Sequence, residues 1–437
     1  LKITLIAPAW RDSIWEEEKS IFPPLNLAMV AALTPQDIEV DIVDESRVAI
    51  DFDREVDLVG ISAMTAIVPR AYEIGDQFRR RGVRVVLGGM HPSALPEEAI
   101  EHADAVVIGE AEGSWPRLIE DLRGGKLAQF YQNEQRPPLE NMVIPKREMF
   151  TEDSYHCRNT VQTTRGCPHA CTFCAVTRFF GRTYRFRPVQ EIINEVKGLA
   201  GQVVAFVDDN IVGNPNFAKK LFQALIPLKI KWFSQGSVSM ASDAELLKLA
   251  RDSGCVGMFV GFESLTPGNL KEVGKSVNDV SKYKESIDKL HDHGIAIEGA
   301  FVFGFDHDDP SVFERTVRFA QDTRLEMAQF GILTPFPGTP LYEKLDAEGR
   351  IIERDWSKYN IGNVVFQPKQ MSRQTLQDGY NWAWREFYSY RSILSRLGVG
   401  RDNLAFLYTI NYTFRKRVMK YIQTPVIATP ELAGTPV

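Results

Sequence analysis

Residues 164–174 read Thr164-Arg165-Gly166-Cys167-Pro168-His169-Ala170-Cys171-Thr172-Phe173-Cys174, three cysteines in a C-x3-C-x2-C spacing. The chain has 437 residues and five cysteines, so three of the five fall within eight positions. Five sparse thiols do not make a disulfide framework. Thiolates are soft ligands that suit iron–sulfur clusters and zinc. Three on one tight loop hold three irons of a [4Fe–4S] cube and leave the fourth iron open, whereas a structural zinc site wants four ligands. His169 lies between the cysteines, a placement that suits neither common zinc spacing. A zinc knuckle or unrelated buried thiols is the plain alternative. Against it, the loop follows a predicted strand that opens a βα series, and barrel chemistry sits on loops at the C-terminal ends of strands. The two remaining cysteines, Cys157 and Cys255, read as ordinary buried or surface residues.

Working outward, strands are predicted at 160–164, 203–207, 231–235, 256–261, 296–302 and 326–333. Helices fall between them at 189–199, 215–225, 243–253, 280–293 and 310–323. Six βα repeats predict a partial (β/α)6 barrel rather than a closed eight-stranded one. Upstream, strands at 2–7, 40–44, 57–62, 83–87 and 104–108 alternate with helices at 25–33, 71–81 and one opened by Pro96. That order predicts a Rossmann-like, doubly wound sheet, which binds its ligand at the carboxyl ends of its strands. Gly88-Gly89 and Gly109-Glu110 fall at those ends, where glycines let backbone approach a large ligand. Residues 124–147 read as a linker with some extended structure, and 372–395 and 404–422 as helices rich in aromatic residues and arginine. The expected division is 1–140, a linker at 141–159, a barrel at 160–345 and a helical domain at 346–437, with a disordered tail from 423. The composition is 44% hydrophobic and 25% charged with net charge −6, which fits a packed globular chain and argues against a general nucleic-acid binder. No apolar run is long enough for a transmembrane helix. The apolar start, residues 1–9, lacks the basic flank and cleavage site of a signal peptide, so a reducing cytoplasm is expected.

The cysteine spacing, with Phe173 before the last cysteine, resembles the signature of the radical SAM family. Arg165-Gly166-Cys167-Pro168 and Phe179-Phe180-Gly181-Arg182 resemble the branch of that family with an N-terminal cobalamin-binding domain, and the likeness runs over residues 1–345. The resemblance implies that Cys167, Cys171 and Cys174 hold a [4Fe–4S] cluster. Its open iron would chelate S-adenosylmethionine (SAM), which one electron cleaves to methionine and a 5′-deoxyadenosyl radical. Phe173 occupies the position that meets adenine. Asp208 and Asp209 stand where many members have Gly-Gly-Glu and are the candidates for the amino group. Gln235 and Ser237 end the third strand; Glu263 ends the fourth and is a candidate for ribose or the amino group. For each polar residue a helix cap or turn is the plain alternative. Residues 331–340 resemble the family's last strand and exit turn. Arg178, Arg182, Arg185 and Arg187 carry forks suited to the methionine carboxylate or an anionic substrate; a solvated loop is the alternative for at least two.

Cobalamin domains often place a D-x-H-x-x-G histidine below cobalt. The loop 9–24 has no histidine, so a bound cobalamin is expected without a histidine lower ligand. Ser62 and Thr65 are candidates for its nucleotide tail, with Gly88, Gly89, Gly109 and Glu110 around it; His91 reads as a loop residue capping a turn. A domain that has lost its ligand is the alternative. The crowd Tyr380, Trp382, Trp384, Phe387, Tyr388 and Tyr390 is read as core before substrate pocket, and 415–417 as a solvated helix end before a membrane contact. The resemblance implies methylation of an unactivated carbon or phosphorus centre of a small molecule, through the adenosyl radical and methylcobalamin, with flavodoxin or ferredoxin as electron donor. Cyclisation, rearrangement, carbon–carbon coupling or transfer of another SAM fragment is the alternative, and an iron–sulfur or cobalamin sensor a further one.

Overall fold

A computed structural model describes residues 1–10, 22–150, 155–397 and 404–423. In the N-terminal part, β1 (Lys2–Ala7), β2 (Glu39–Asp44), β3 (Leu58–Ser62), β4 (Arg84–Gly88), β5 (Ala105–Ile108) and β6 (Phe130–Gln132) form one sheet. Its order is β2-β1-β3-β4-β5-β6 and every neighbouring pair is parallel. The inner strands β3, β4 and β5 read as nearly continuous apolar runs because helices cover both faces. Ile3 and Leu5 pack with Trp115 and Leu118 on one face; Ile6 and Ile61 pack with Ile74 and Phe78 on the other. The strand order reverses between β1 and β3, and such a switch point opens a crevice at the carboxyl ends. The expected linker at 124–147 contains β6, which extends the sheet beside β5. A three-residue strand is too short to show alternation, and only its pairing reveals it. Tyr131 is buried there, its hydroxyl donating to Asp121 at 2.7 Å.

The second part begins with β7 (Thr160–Val161), followed by β8 (Thr164–Arg165) and β9 (Arg185–Phe186). After them come β10 (Val203–Phe206), β11 (Lys231–Gly236), β12 (Cys255–Glu263), β13 (Ala296–Phe303) and β14 (Met327–Ile332). Six of these make a parallel sheet in the order β14-β13-β12-β11-β10-β7, while β8 and β9 pair antiparallel with each other. The strand expected over 160–164 is therefore two pieces in two sheets. Outward side chains, among them Trp232, Val260, Phe262, Phe301 and Phe330, pack with the surrounding helices into one core. Strand alternation turns Phe233, Gln235, Glu298, Ala300 and Gln329 to the opposite, luminal face.

The helix expected over 372–395 is two helices, Arg373–Phe387 and Tyr390–Leu397. The break follows Tyr388, whose hydroxyl is held by the Ala328 backbone, donating to its carbonyl at 2.9 Å. Tyr380, Trp384, Phe387 and Tyr388 are buried, and Trp384 and Phe387 meet the Phe330 ring edge-on, so this stripe is core. Trp382 and Tyr390 point outward. Helix Leu404–Gln423 packs Phe414 and Val418 onto the same core, and Arg415 donates to the Tyr388 carbonyl and lies 4.2 Å from the Tyr390 ring centre. Part of the basic run 415–417 is therefore docked. The tail after residue 423 and residues 11–21 lie outside the described residues. Among the described residues no helix is long and apolar enough to cross a membrane.

Candidate cofactor sites at the mouth of the barrel

The three clustered cysteines sit in the loop closed by β8 and β9. Gly166 opens that loop at φ +85°, where a Cβ would lie 2.5 Å from the Thr183 carbonyl oxygen, so only glycine fits. The loop is pinned from three sides. Thr172 N donates to the Val273 carbonyl at 3.0 Å, Leu341 N to the Thr172 carbonyl at 3.0 Å, and the Tyr184 hydroxyl to the Asn210 carbonyl at 2.8 Å. Cys171 is buried, Cys167 and Cys174 half-buried, and all three are free thiols. Burial pushes each thiol up, Cys171 to about 11, and the thiols feel one another's charge. Iron ligation would take off those protons. Among the described residues no three His, Cys, Asp or Glu side chains converge on one ion. A cube does not need them to, since each thiolate meets a different iron, and three thiols on one loop are the donor type it takes.

The other residues expected around SAM divide. Asp208 is wholly buried; its Oδ1 accepts from the backbone and hydroxyl of both Thr163 and Thr164, while Oδ2 has no partner. Its first task is to tie the end of β10 to β8. Asp209 next to it is free of such bonds, and burial together with the Asp208 charge pushes it up to about 7. Glu263 lies at a register shift in β12 with φ +63°, a left-handed conformation that a non-glycine residue keeps only when its surroundings hold it there. Its carboxylate receives Lys275 at 2.8 Å. The turn before Lys275 packs on the cysteine loop through the Val273 carbonyl, and Lys275 is within electrostatic reach of Cys171 and Cys174. Sequence reasoning passed over Lys275, because its partner is defined only by the shape of the β12 bulge. Phe173 is half-buried with its ring 6.3 Å from that of Phe305. Gln235 is exposed on the luminal face. Ser237 instead caps a short helix, its Oγ accepting from Ser239 N at 3.3 Å, and Arg182 is exposed. Cys157 and Cys255 make only weak bonds to nearby carbonyls, and burial pushes Cys255 up to about 12.

On the N-terminal sheet a cavity of about 1200 Å³ opens at the carboxyl ends of the strands. That exceeds the roughly 300–1,000 Å³ of a usual small-ligand pocket. Ser62, Gly88, Gly89, Gly109 and Glu110 line it; Thr65 does not, being buried beneath. Gly89, at φ +101°, has no room for a Cβ, which would fall 2.7 Å from the Ala63 carbonyl oxygen. Gly109, at φ +79°, faces open space. The backbone is thus bare on the side where a broad ligand would lie, and the cavity fits one. Among the described residues that line it there is no histidine. His91 is wholly buried away from it, paired with Glu98 at 3.2 Å and edge-on to Trp356. The far wall is made by Gln162, Arg165, Phe179, Phe180 and Val207, so residues on either side of the three cysteines border the cavity.

Two of the four expected anion-binding arginines are spent on protein carboxylates. Arg187 pairs with buried Glu195, and Arg185 with Glu110. Glu110, expected to touch cofactor, gives its carboxylate to Arg165 and Arg185 across the domain boundary. That pairing joins positions 55 and 75 residues apart and carries no local signal.

A curled parallel sheet with a three-cysteine loop at its mouth, facing a crevice on an open sheet, defines an enzyme that brings two large cofactors together. Residues 161–320 match the radical SAM superfamily, residues 15–119 the B12 binding domain, and residues 339–408 a domain of unknown function, DUF4070. The chain is 33% identical over 410 residues to the bacteriochlorophyllide d C-12(1)-methyltransferase of Chlorobaculum tepidum, covering 91% of this chain and 89% of the relative. It is 27% identical to the hopanoid C-2 methylase of Rhodopseudomonas palustris over 80% of this chain and 69% of the relative. The radical SAM methyltransferase TsrM from Kitasatospora setae, solved with tryptophan and a SAM analogue, shares the fold with TM-score 0.69 at 16% identity, covering 96% of this chain and 98% of that one. The chain belongs to the radical SAM superfamily, in the branch of B12-binding-domain methyltransferases, and is an enzyme.

Proposed function

We propose that the protein methylates an unactivated carbon of a small molecule, with a [4Fe–4S] cluster, SAM and cobalamin as cofactors. The observation that carries the reading is the large cavity at the carboxyl ends of the N-terminal sheet, whose far wall includes Arg165, Phe179 and Phe180 from either side of the three cysteines. Two relatives are named for methylating bacteriochlorophyllide d, at C-12(1) and C-8(2), which supports a carbon centre over phosphorus. When bound, the cluster with SAM supplies a 5′-deoxyadenosyl radical and cobalamin a transferable methyl group.

The chain's own residues bind, orient and shield. Cys167, Cys171 and Cys174 ligate iron. Asp209 accepts from the SAM amino group, Glu263 from ribose or the amino group, and Phe173 lies against adenine. Lys275 neutralises charge beside the cluster. Phe179 and Phe180 keep water from the far wall of the N-terminal cavity. Gly88, Gly89 and Gly109 admit the corrin face closely, and Ser62 bonds its polar edge. A flavodoxin- or ferredoxin-type donor supplies electrons, and a reducing cytoplasm suits the free thiols.

The test is anaerobic turnover of the reduced, reconstituted protein with SAM. Formation of 5′-deoxyadenosine, with a product heavier by one methylene, is expected. Deoxyadenosine with an unchanged or cyclised product would replace methylation by another radical reaction; none at all would sink the radical reading. Cys171→Ala should abolish the cluster's visible absorbance, and survival of that absorbance would overturn the ligand assignment.

A further inference from the structure

The cysteine loop is closed at its base by two arginines. β8 and β9 are two residues each, and Arg165 stands directly opposite Arg185 in their antiparallel register. So short a ribbon is marginal alone, and like charges directly opposite each other destabilise a strand pair. Both guanidiniums are largely buried, with side chains 7% and 14% exposed, so water does little to screen them. The neutralising charge comes from the other domain. Glu110 Oε2 is 2.6 Å from Arg165 Nη1, and Glu110 Oε1 is 2.5 Å from Arg185 Nη2. Glu112 takes the remaining side of Arg165 at 2.6 Å. Among the described residues Arg185 has no second carboxylate; its other bond is to the Pro137 carbonyl, and its Nε is unpartnered. Glu110 is itself held rigidly. It follows Gly109 at φ +79°, caps helix Ala111–Arg123, and its carbonyl accepts from Ser114 Oγ and Asn133 Nδ2.

We propose that Glu110 is a positioning residue for the iron–sulfur cluster: the N-terminal domain supplies the counter-ion that lets the base of the cysteine loop close. Buried ion pairs add little net stability compared with apolar packing, and their best-attested use is to specify one arrangement. Here the arrangement specified is the closed ribbon at the neck of the cluster loop. Closing that loop and docking the two domains are therefore one event. The proposal rests on the cysteines holding a cluster and is independent of methyl transfer and of cobalamin.

The test uses the full chain, reconstituted with iron and sulfide and left free of cobalamin. The readout is the rate at which an iron chelator bleaches the cluster absorbance under argon. Glu110→Gln keeps the shape and removes the charge. It should bleach about tenfold faster or more, the scale of one lost charge-assisted pair. The double variant Glu110→Gln/Arg185→Gln removes the repulsion as well and should recover most of the resistance. Glu98→Gln, which removes the charge from the separate contact in which Glu98 accepts from Trp356 Nε1 (3.1 Å), should stay within about twofold of the parent. A single variant that takes up no iron while the double variant does counts in favour. The proposal is overturned if Glu110→Gln bleaches like the parent, if the double variant is as labile as the single one, or if neither takes up iron.

Discussion

In the N-terminal sheet, β3 is buried at four of its five positions, whereas β13 alternates strictly between buried and half-buried residues. Both sheets have six parallel strands, yet the first is a filled sandwich and the second a curled wall with one free face. The difference teaches where chemistry is possible. A sheet covered on both faces offers a ligand only its carboxyl edge, and there the glycines and the large cavity lie. The curled sheet adds an inner face lined by Gln235, Glu298 and Gln329, polar groups that a sandwich core would not tolerate.

The largest effect should come from the outer core of the barrel. Trp384→Ala and Phe330→Ala, both at buried positions, should each cost about 3–5 kcal/mol in denaturant unfolding. Cluster uptake per folded molecule should stay at the parent level; a specific loss of cluster would mean that these rings shape the mouth as well. The sandwich is tested next by neighbours on opposite faces. Leu5→Ala and Ile6→Ala should each cost about 2–5 kcal/mol, because each belongs to its own core. A silent result at either would show one face to be open.

Glu298 sharpens the luminal side. Burial pushes its carboxyl from 4.5 up to about 7. The folded state therefore holds this proton more tightly than the unfolded chain does. The stability associated with it is complete below pH 4.5, falls as pH rises toward about 7, and is flat above. Glu298→Gln should remove that slope and leave the variant more stable than the parent at pH 8. Identical pH profiles in thermal unfolding would place Glu298 in water instead. The smallest effect is expected at Trp382, 41% exposed, where Trp382→Ala should stay within about 0.5 kcal/mol.

Much of this was legible in the chain. The cysteine spacing marks the loop between β8 and β9, and the βα alternation marks both sheets, with most elements displaced by only a residue or two. Helix Pro215–Leu225 shows why: Pro215 opens it and Asn214 caps it, accepting from Phe217 N at 3.1 Å. The rest has physical causes. β6 is too short for periodicity, so only its pairing turns the extended structure expected in the linker into a strand. Ser237 ends a strand and caps a short helix, two roles that its residue type suits equally. Glu110 lines the cavity where a cofactor contact is expected, and its pairing with Arg165 and Arg185 carries no local signal.

Soft ligands at fixed spacing, and apolar runs whose period matches a strand or helix, are local properties, so the sequence alone determined the three-cysteine loop, the order of elements and the family likeness. Charge pairing depends on distances in space that neighbouring residues do not encode. Only the tertiary structure decided that Arg185 holds Glu110, that Lys275 meets Glu263, and that residues on either side of the cysteines wall the N-terminal cavity.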